Sequence, residues 1–141
     1  MPTDFAPGSA PAAATPLFSG GALLDAEKLD VYRVAVEIQV IAARLLPRRG
    51  LATLRDQLDR ASVSIVLNVA EGAGRLSGPD KARFYAMARG SATECAAIVD
   101  LVLARGLAPA SSCRHARSLL VRVVQMLTKL VARVGAQGAR P

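Results

Sequence analysis

Residues 51 to 74 read LATLRDQLDRASVSIVLNVAEGAG, and this stretch decides the fold. Within it Leu54, Leu58, Ala61, Ile65 and Asn68 follow one another at alternating steps of four and three. Side chains at such steps line one side of an α-helix, and the alternation is the seam along which helices pack in a bundle. Gly72 and Gly74 then stop it, so a helix is expected from about Leu51 to Glu71.

The same rhythm extends in both directions. Ser77-Gly78-Pro79-Asp80 opens a helix: the Ser77 hydroxyl can cap free amides, and the Asp80 carboxylate favours the positive helix end. Its seam is Phe84, Ala88, Ser91, Cys95, Ile98 and Val102, ending at Gly106. Pro109 with Ser111 or Ser112 begins another helix, striped by Leu120, Val123, Leu127, Leu130 and Val134 and closed by Gly135. Upstream, Asp25 to Leu46 reads as a helix with Leu29, Tyr32, Ile38, Ile41 and Leu45 on its buried side, stopped by Pro47 and Gly50. Nothing alternates with period two for long enough to make a strand. Four helices with short connections predict an all-α, antiparallel up-down four-helix bundle over residues 25–135.

Residues 1–24 are rich in Ala, Pro and Gly, with Pro2, Pro7, Pro11 and Pro16 against any helix, and read as a flexible tail. No basic segment precedes an apolar run there, as a secretory signal requires. Leu17-Phe18 is its one apolar patch able to dock. Residues 136–141 form a short C-terminal tail.

At 141 residues the chain has room for one core, and its 52% hydrophobic but only 4% aromatic composition suits helix-on-helix packing. The net charge of +7 favours polyanionic partners. The last carboxylate is Asp100; beyond it Arg114, Arg117, Arg122, Lys129 and Arg133 fall on the last helix with no acid among them. Those five are the candidate nucleic-acid contacts, with Asp56, Asp59 and Glu37 as possible counter-charges from other helices. Cys95 and Cys113 have no metal-ligand spacing and read as reduced thiols of a cytoplasmic protein. No helix has the long charge-free run that membrane spanning requires.

Polar residues that break the apolar stripes carry the rest. Ser64, Asn68 and Glu71 share one side of the second helix, and Ser91 and Glu94 lie three apart on the third, next to Gly90. Paired carboxylates can serve acid–base or two-metal chemistry, but a bundle metal centre needs Glu-x-x-His pairs, and the chain's single His115 lies outside that pattern. The structural reading is therefore preferred: Ser64, Asn68, Glu71, Ser91 and Glu94 form a buried polar network that fixes register, and Gly90 permits close backbone approach. Arg75, in the loop from Gly72 to Pro79, is a candidate anion contact beside a helix start.

The run Gln57 to Ile65, followed by Asn68-Val69-Ala70-Glu71-Gly72, resembles the signature of the four helix bundle protein family. Its members are also described as encoded in intervening sequences of the bacterial 23S rRNA gene. Arg75, Ser77, Asp80, Phe84, Ala88-Arg89-Gly90-Ser91 and Glu94 resemble its second half, and Leu29-Asp30-Val31-Tyr32 its opening. The resemblance spans roughly Leu29 to Val134. It implies an antiparallel bundle assembled as a homopentamer and a link to RNA, and it carries over no enzymatic activity; the residues themselves point to no cofactor or metal. Independently of it, Val31, Val34, Val36 and Val40 give the first helix more apolar surface than a monomer needs, which predicts a homo-oligomer. Two functions follow: an RNA-binding accessory factor that uses the basic last helix, or an oligomeric adaptor whose partner is a protein.

Overall fold

The structure is a computed structural model that describes residues 23–137. Residues 1–22 and 138–141, with the expected docking pair Leu17-Phe18, lie outside the described residues. A 3-10 turn over Asp25–Lys28 leads into α1 (Asp30–Leu45), α2 (Ala52–Gly74), α3 (Gly78–Ala104) and α4 (Ala110–Ala136), and the described residues contain no strand.

Cross-helix contacts fix the topology. Between α2 and α3, Ser64 meets Ser91 while Ala73 meets Lys81. Between α3 and α4, Asp100 meets Arg117 while Arg89 meets Thr128. One partner's number rises as the other's falls, so neighbours run antiparallel. The start of α1 lies against the end of α4 around Val31 and Leu130, and its end lies against the start of α2 around Leu46 and Leu58. The backbones of α1 and α3 do not come close to one another, nor do those of α2 and α4. The bundle is a square in chain order, with those two pairs on its diagonals.

The core follows the expected stripes with small rotations. On α4 every expected position is buried, joined by Cys113, Ala116 and Leu119. On α2 the inside position after Ile65 is Val69, and Asn68 stands at the edge half-buried. On α3 the inside line is Tyr85, Ala88, Ala92, Cys95, Ile98, Val99 and Val102, while Phe84 and Ser91 move to the edge. At Asn68 and Ser91 the shift has a common reason: burying an amide or a hydroxyl costs more than burying the valine or alanine one residue on. On α1 the buried line is Val31, Val34, Ala35, Ile38 and Leu45, because α1 lies in a groove between α2 and α4. Leu29 is its N-cap, and Tyr32 and Ile41 are half-buried. Val31 and Val34, read from sequence as surplus apolar surface, thus belong to the core of a single chain.

Helix ends also differ in detail. Ser77 caps α3 as expected, accepting from the Asp80 amide at 3.2 Å. Ser111 and Ser112 do not cap α4, which starts one residue earlier after Pro109. Helix α2 runs through Gly72 to Gly74. Gly72 serves approach rather than termination: a Cβ there would stand 2.8 Å from the Tyr85 ring and 3.1 Å from the Phe84 Cβ. Gly78 likewise faces the Val134 carbonyl oxygen, with no room for a side chain. Gly90, expected to allow close approach, has nothing within 4 Å of a Cβ and is exposed.

The two glycines should therefore respond oppositely to a methyl group. Gly72→Ala must displace a buried ring and should destabilise by about 1–3 kcal/mol. Gly90→Ala only adds helix propensity and should stabilise by about 0.5–1 kcal/mol. Urea denaturation of both variants checks the pair.

Candidate functional site: polar edge and basic surface

Three of the five stripe residues meet along the α2–α3 edge. The Asn68 amide Nδ2 donates to the Ser64 carbonyl at 2.9 Å and to the Ser64 hydroxyl at 3.0 Å. Ser64 Oγ and Ser91 Oγ are 2.8 Å apart. Because Ser64 Oγ accepts from Asn68, its own hydrogen is free to donate to Ser91, which orients the trio. All three are half-buried. The Ser64–Ser91 bond crosses the α2–α3 interface, and the two Asn68 bonds brace it from within α2.

Glu71 and Glu94 stand apart from this trio. Glu71 is exposed and bonds the Arg75 guanidinium one turn on, and Glu94 is exposed on the outer side of α3. With one carboxylate engaged and the other turned to solvent, the pair converges on nothing. Among the described residues no three His, Cys, Asp or Glu side chains group as metal ligands. Burial pushes the Cys95 thiol up to about 12, with Glu94 adding to the shift, and burial also raises Cys113. Both thiols are protonated at neutral pH and sealed in the core, which removes them as nucleophiles.

Arg75 is committed to the fold. It bonds Glu71, and its guanidinium lies 4.6 Å from the Phe84 ring centre, with Arg83 at 4.8 Å from the same centre. Sequence reasoning missed Lys81, whose ammonium donates to the Ala73 carbonyl at 2.8 Å and the Gly72 carbonyl at 3.4 Å. It satisfies the open carbonyls at the end of α2 from the first turn of α3. A lysine placed just past a short helix–helix turn was the available signal.

Arg114, Arg117, Arg122, Lys129 and Arg133 are all exposed, yet they do not form one stripe. At about 100° of rotation per residue, Arg117 turns toward α3 and Arg122, Lys129 and Arg133 toward α1. Arg117 Nε donates to Asp100 at 3.1 Å. Lys129 and Arg133 line a shallow groove with Lys28, Leu29 and Asp30. Arg114 is the fifth residue of α4, near the end of the bundle. Among the described residues Arg117 alone of the five has an ion pair. Asp56 and Asp59, considered as partners from sequence, belong to the diagonal helix α2 and do not reach α4.

The family model for the 23S rRNA-intervening sequence protein matches residues 27–129, most of the chain and nearly all of the bundle. The chain belongs to this family. No curated protein matches it. The matched span holds the α2–α3 edge, both close-approach glycines and four of the five α4 cations, and leaves Arg133 just beyond. Among the described residues of this family member, no helix is long and apolar enough to cross a membrane.

Two consequences can be measured. Ser91→Ala leaves the Ser64 hydroxyl without its acceptor on α3 and should cost about 1 kcal/mol, whereas Glu71→Ala removes a surface ion pair and should cost less than about 0.5 kcal/mol. Chemical denaturation orders the two, and a larger loss for Glu71→Ala contradicts the assignment. Separately, Ellman's reagent at pH 8 should find no reactive thiol until denaturant unfolds the chain.

Proposed function

We infer that this family member is a non-enzymatic, oligomeric RNA-binding accessory protein of the cytoplasm. The observation that carries the reading is positive charge without counter-charge. Helix α4 contains no carboxylate, and Arg114, Arg122, Lys129 and Arg133 have no ion pair among the described residues. Cations held in the open with no acid beside them suit the phosphate backbone of a nucleic acid. The family's description, tied to 23S rRNA, favours RNA among polyanions. Two free thiols fit a reducing compartment.

The oligomeric part rests on apolar side chains that the bundle does not cover. Met87 and Leu101 are 51% and 52% exposed, each seven residues from Glu94 and so on one line of α3. Leu67 on α2 is 62% exposed. A homopentamer is the assembly that the resemblance to the family implies. The same surface, with fully exposed Leu76 at the α2–α3 turn, also favours a second reading, an adaptor whose partner is another protein.

The full chain should bind a labelled RNA hairpin at about 50 mM salt. With about four phosphates contacted, affinity should fall roughly 50- to 150-fold by about 200 mM. Light scattering after gel filtration should give a multiple of the chain mass. An absence of RNA binding at low salt turns the function to the adaptor, and a monomer mass removes the oligomer.

A further inference from the structure

The two ends of the bundle treat their cations differently. Where α2 and α4 finish and α1 and α3 begin, most cations are used up internally: Lys28 pairs with Asp25, Arg75 with Glu71, and Arg83 with Asp80. Lys81 holds the end of α2, and Phe84 takes both neighbouring guanidiniums. At the opposite end, where α1 and α3 finish and α2 and α4 begin, Arg44, Arg48, Arg49, Arg105 and Arg114 are all exposed. None of these five has an ion pair among the described residues. Of the carboxylates nearby, Asp100 is held by Arg117, and Asp56 and Asp59 sit in a depression between α1 and α2 beside Arg55.

The cations are also sorted by type. The chain's three lysines, Lys28, Lys81 and Lys129, all lie toward the first end, so the second is purely arginine. Arginine presents a planar fork that matches two phosphate oxygens at once, which a lysine cannot do.

The loop carrying Arg48 and Arg49 is held in place. Arg55 donates from α2 to the carbonyls of Pro47 (2.8 Å) and Gly50, on either side of the pair. Gly50 and Leu51 both take the left-handed conformation, at φ 72° and 54°. Leu46 is buried and Leu51 packs against the core, which keeps a non-glycine residue in that conformation. Binding therefore does not have to order this loop. Stability accounts in part for Arg44 and Arg105, since helix C-terminal ends favour cations. It does not account for Arg114, the fifth residue of α4, which is nearest the positive end of its helix and has no acid on that helix to compensate.

We propose that this arginine end is the principal RNA-contacting surface and the flank of α4 a secondary one, with Arg48, Arg49 and Arg114 holding backbone phosphates. It rests on the RNA-binding reading above. Helices α1 and α4 are neighbours, with axes about 8–10 Å apart, so one backbone can meet the α1–α2 loop and then the start of α4. Tyr32, Phe84 and Tyr85, the aromatics of the described residues, all lie toward the other end. Contacts here are thus to phosphate rather than by base stacking, and sequence selectivity is weak.

The test compares two charge reversals in the full chain by fluorescence anisotropy with the same RNA hairpin. R48E/R49E/R114E should weaken binding by at least about tenfold and flatten the salt slope by about 2 to 3. R122E/K129E/R133E should weaken binding too, but by no more than about threefold. Circular dichroism and gel-filtration mass must match the unaltered chain, and R48Q/R49Q/R114Q replaces the reversal if it unfolds. Loss in the flank variant with binding kept in the end variant, or equal loss in both, overturns the proposal and leaves the RNA function standing. No binding by the unaltered chain removes both. Binding through the same arginines to phosphatidylserine vesicles but not to RNA also overturns it.

Discussion

Gly72 passes the Tyr85 ring, and Gly78 passes the Val134 carbonyl, at distances that exclude even a methyl group. The first contact joins α2 to α3 and the second joins α3 to α4, both near the same end of the bundle. Together they fix how far α3 is turned about its own axis. From that angle follow its other placements: Ala88, Ala92, Cys95 and Val99 face inward, Ser91 faces Ser64, and Arg89 and Asp100 face α4. Lys81 reinforces the arrangement by bridging the turn to the last carbonyls of α2.

The polar edge is a consequence of that rotation. Asn68 and Ser91 fall on positions that an ideal seam would bury, and the helices turn just enough to bring Val69 and Ala92 inside instead. The two hydroxyls then meet across the edge, with the amide bonded to Ser64 from one turn along α2, where partial exposure lowers the cost of desolvation. The arrangement selects register through hydrogen bonds without an unpaired buried group in the trio.

The square arrangement decides the electrostatics. Because α2 and α4 occupy a diagonal, the carboxylates of α2 cannot neutralise the cations of α4, and only Asp100 of α3 reaches one of them. Antiparallel connection places the two arginine-bearing loops at one end and the internally paired cations at the other. A modest excess of positive charge thereby becomes a polarised one, and an oligomer would repeat that polarity on every copy.

Much of this was legible in the sequence. The four-and-three stepping of Leu54, Leu58, Ala61 and Ile65, the Ser77 cap and the α4 stripe depend only on helical period and local hydrogen bonding, so they determined element type, approximate bounds and the bundle class. The missing acids of α4 were equally plain, being a matter of composition. Tertiary structure alone decided the rest, because each undecided point turned on a partner far along the chain. The small turn of α2 and α3 that brings Val69 and Ala92 inside depends on what each helix faces, and so do the burial of Val31 and Val34 and the assignment of close approach to Gly72 and Gly78 instead of Gly90. Glu71 and Asn68 lie three apart and share a side, but only the position of α3 separates a solvent-exposed carboxylate from an amide bonded into the edge. Likewise, sequence could count the arginines, while the antiparallel fold determined which of them stand together.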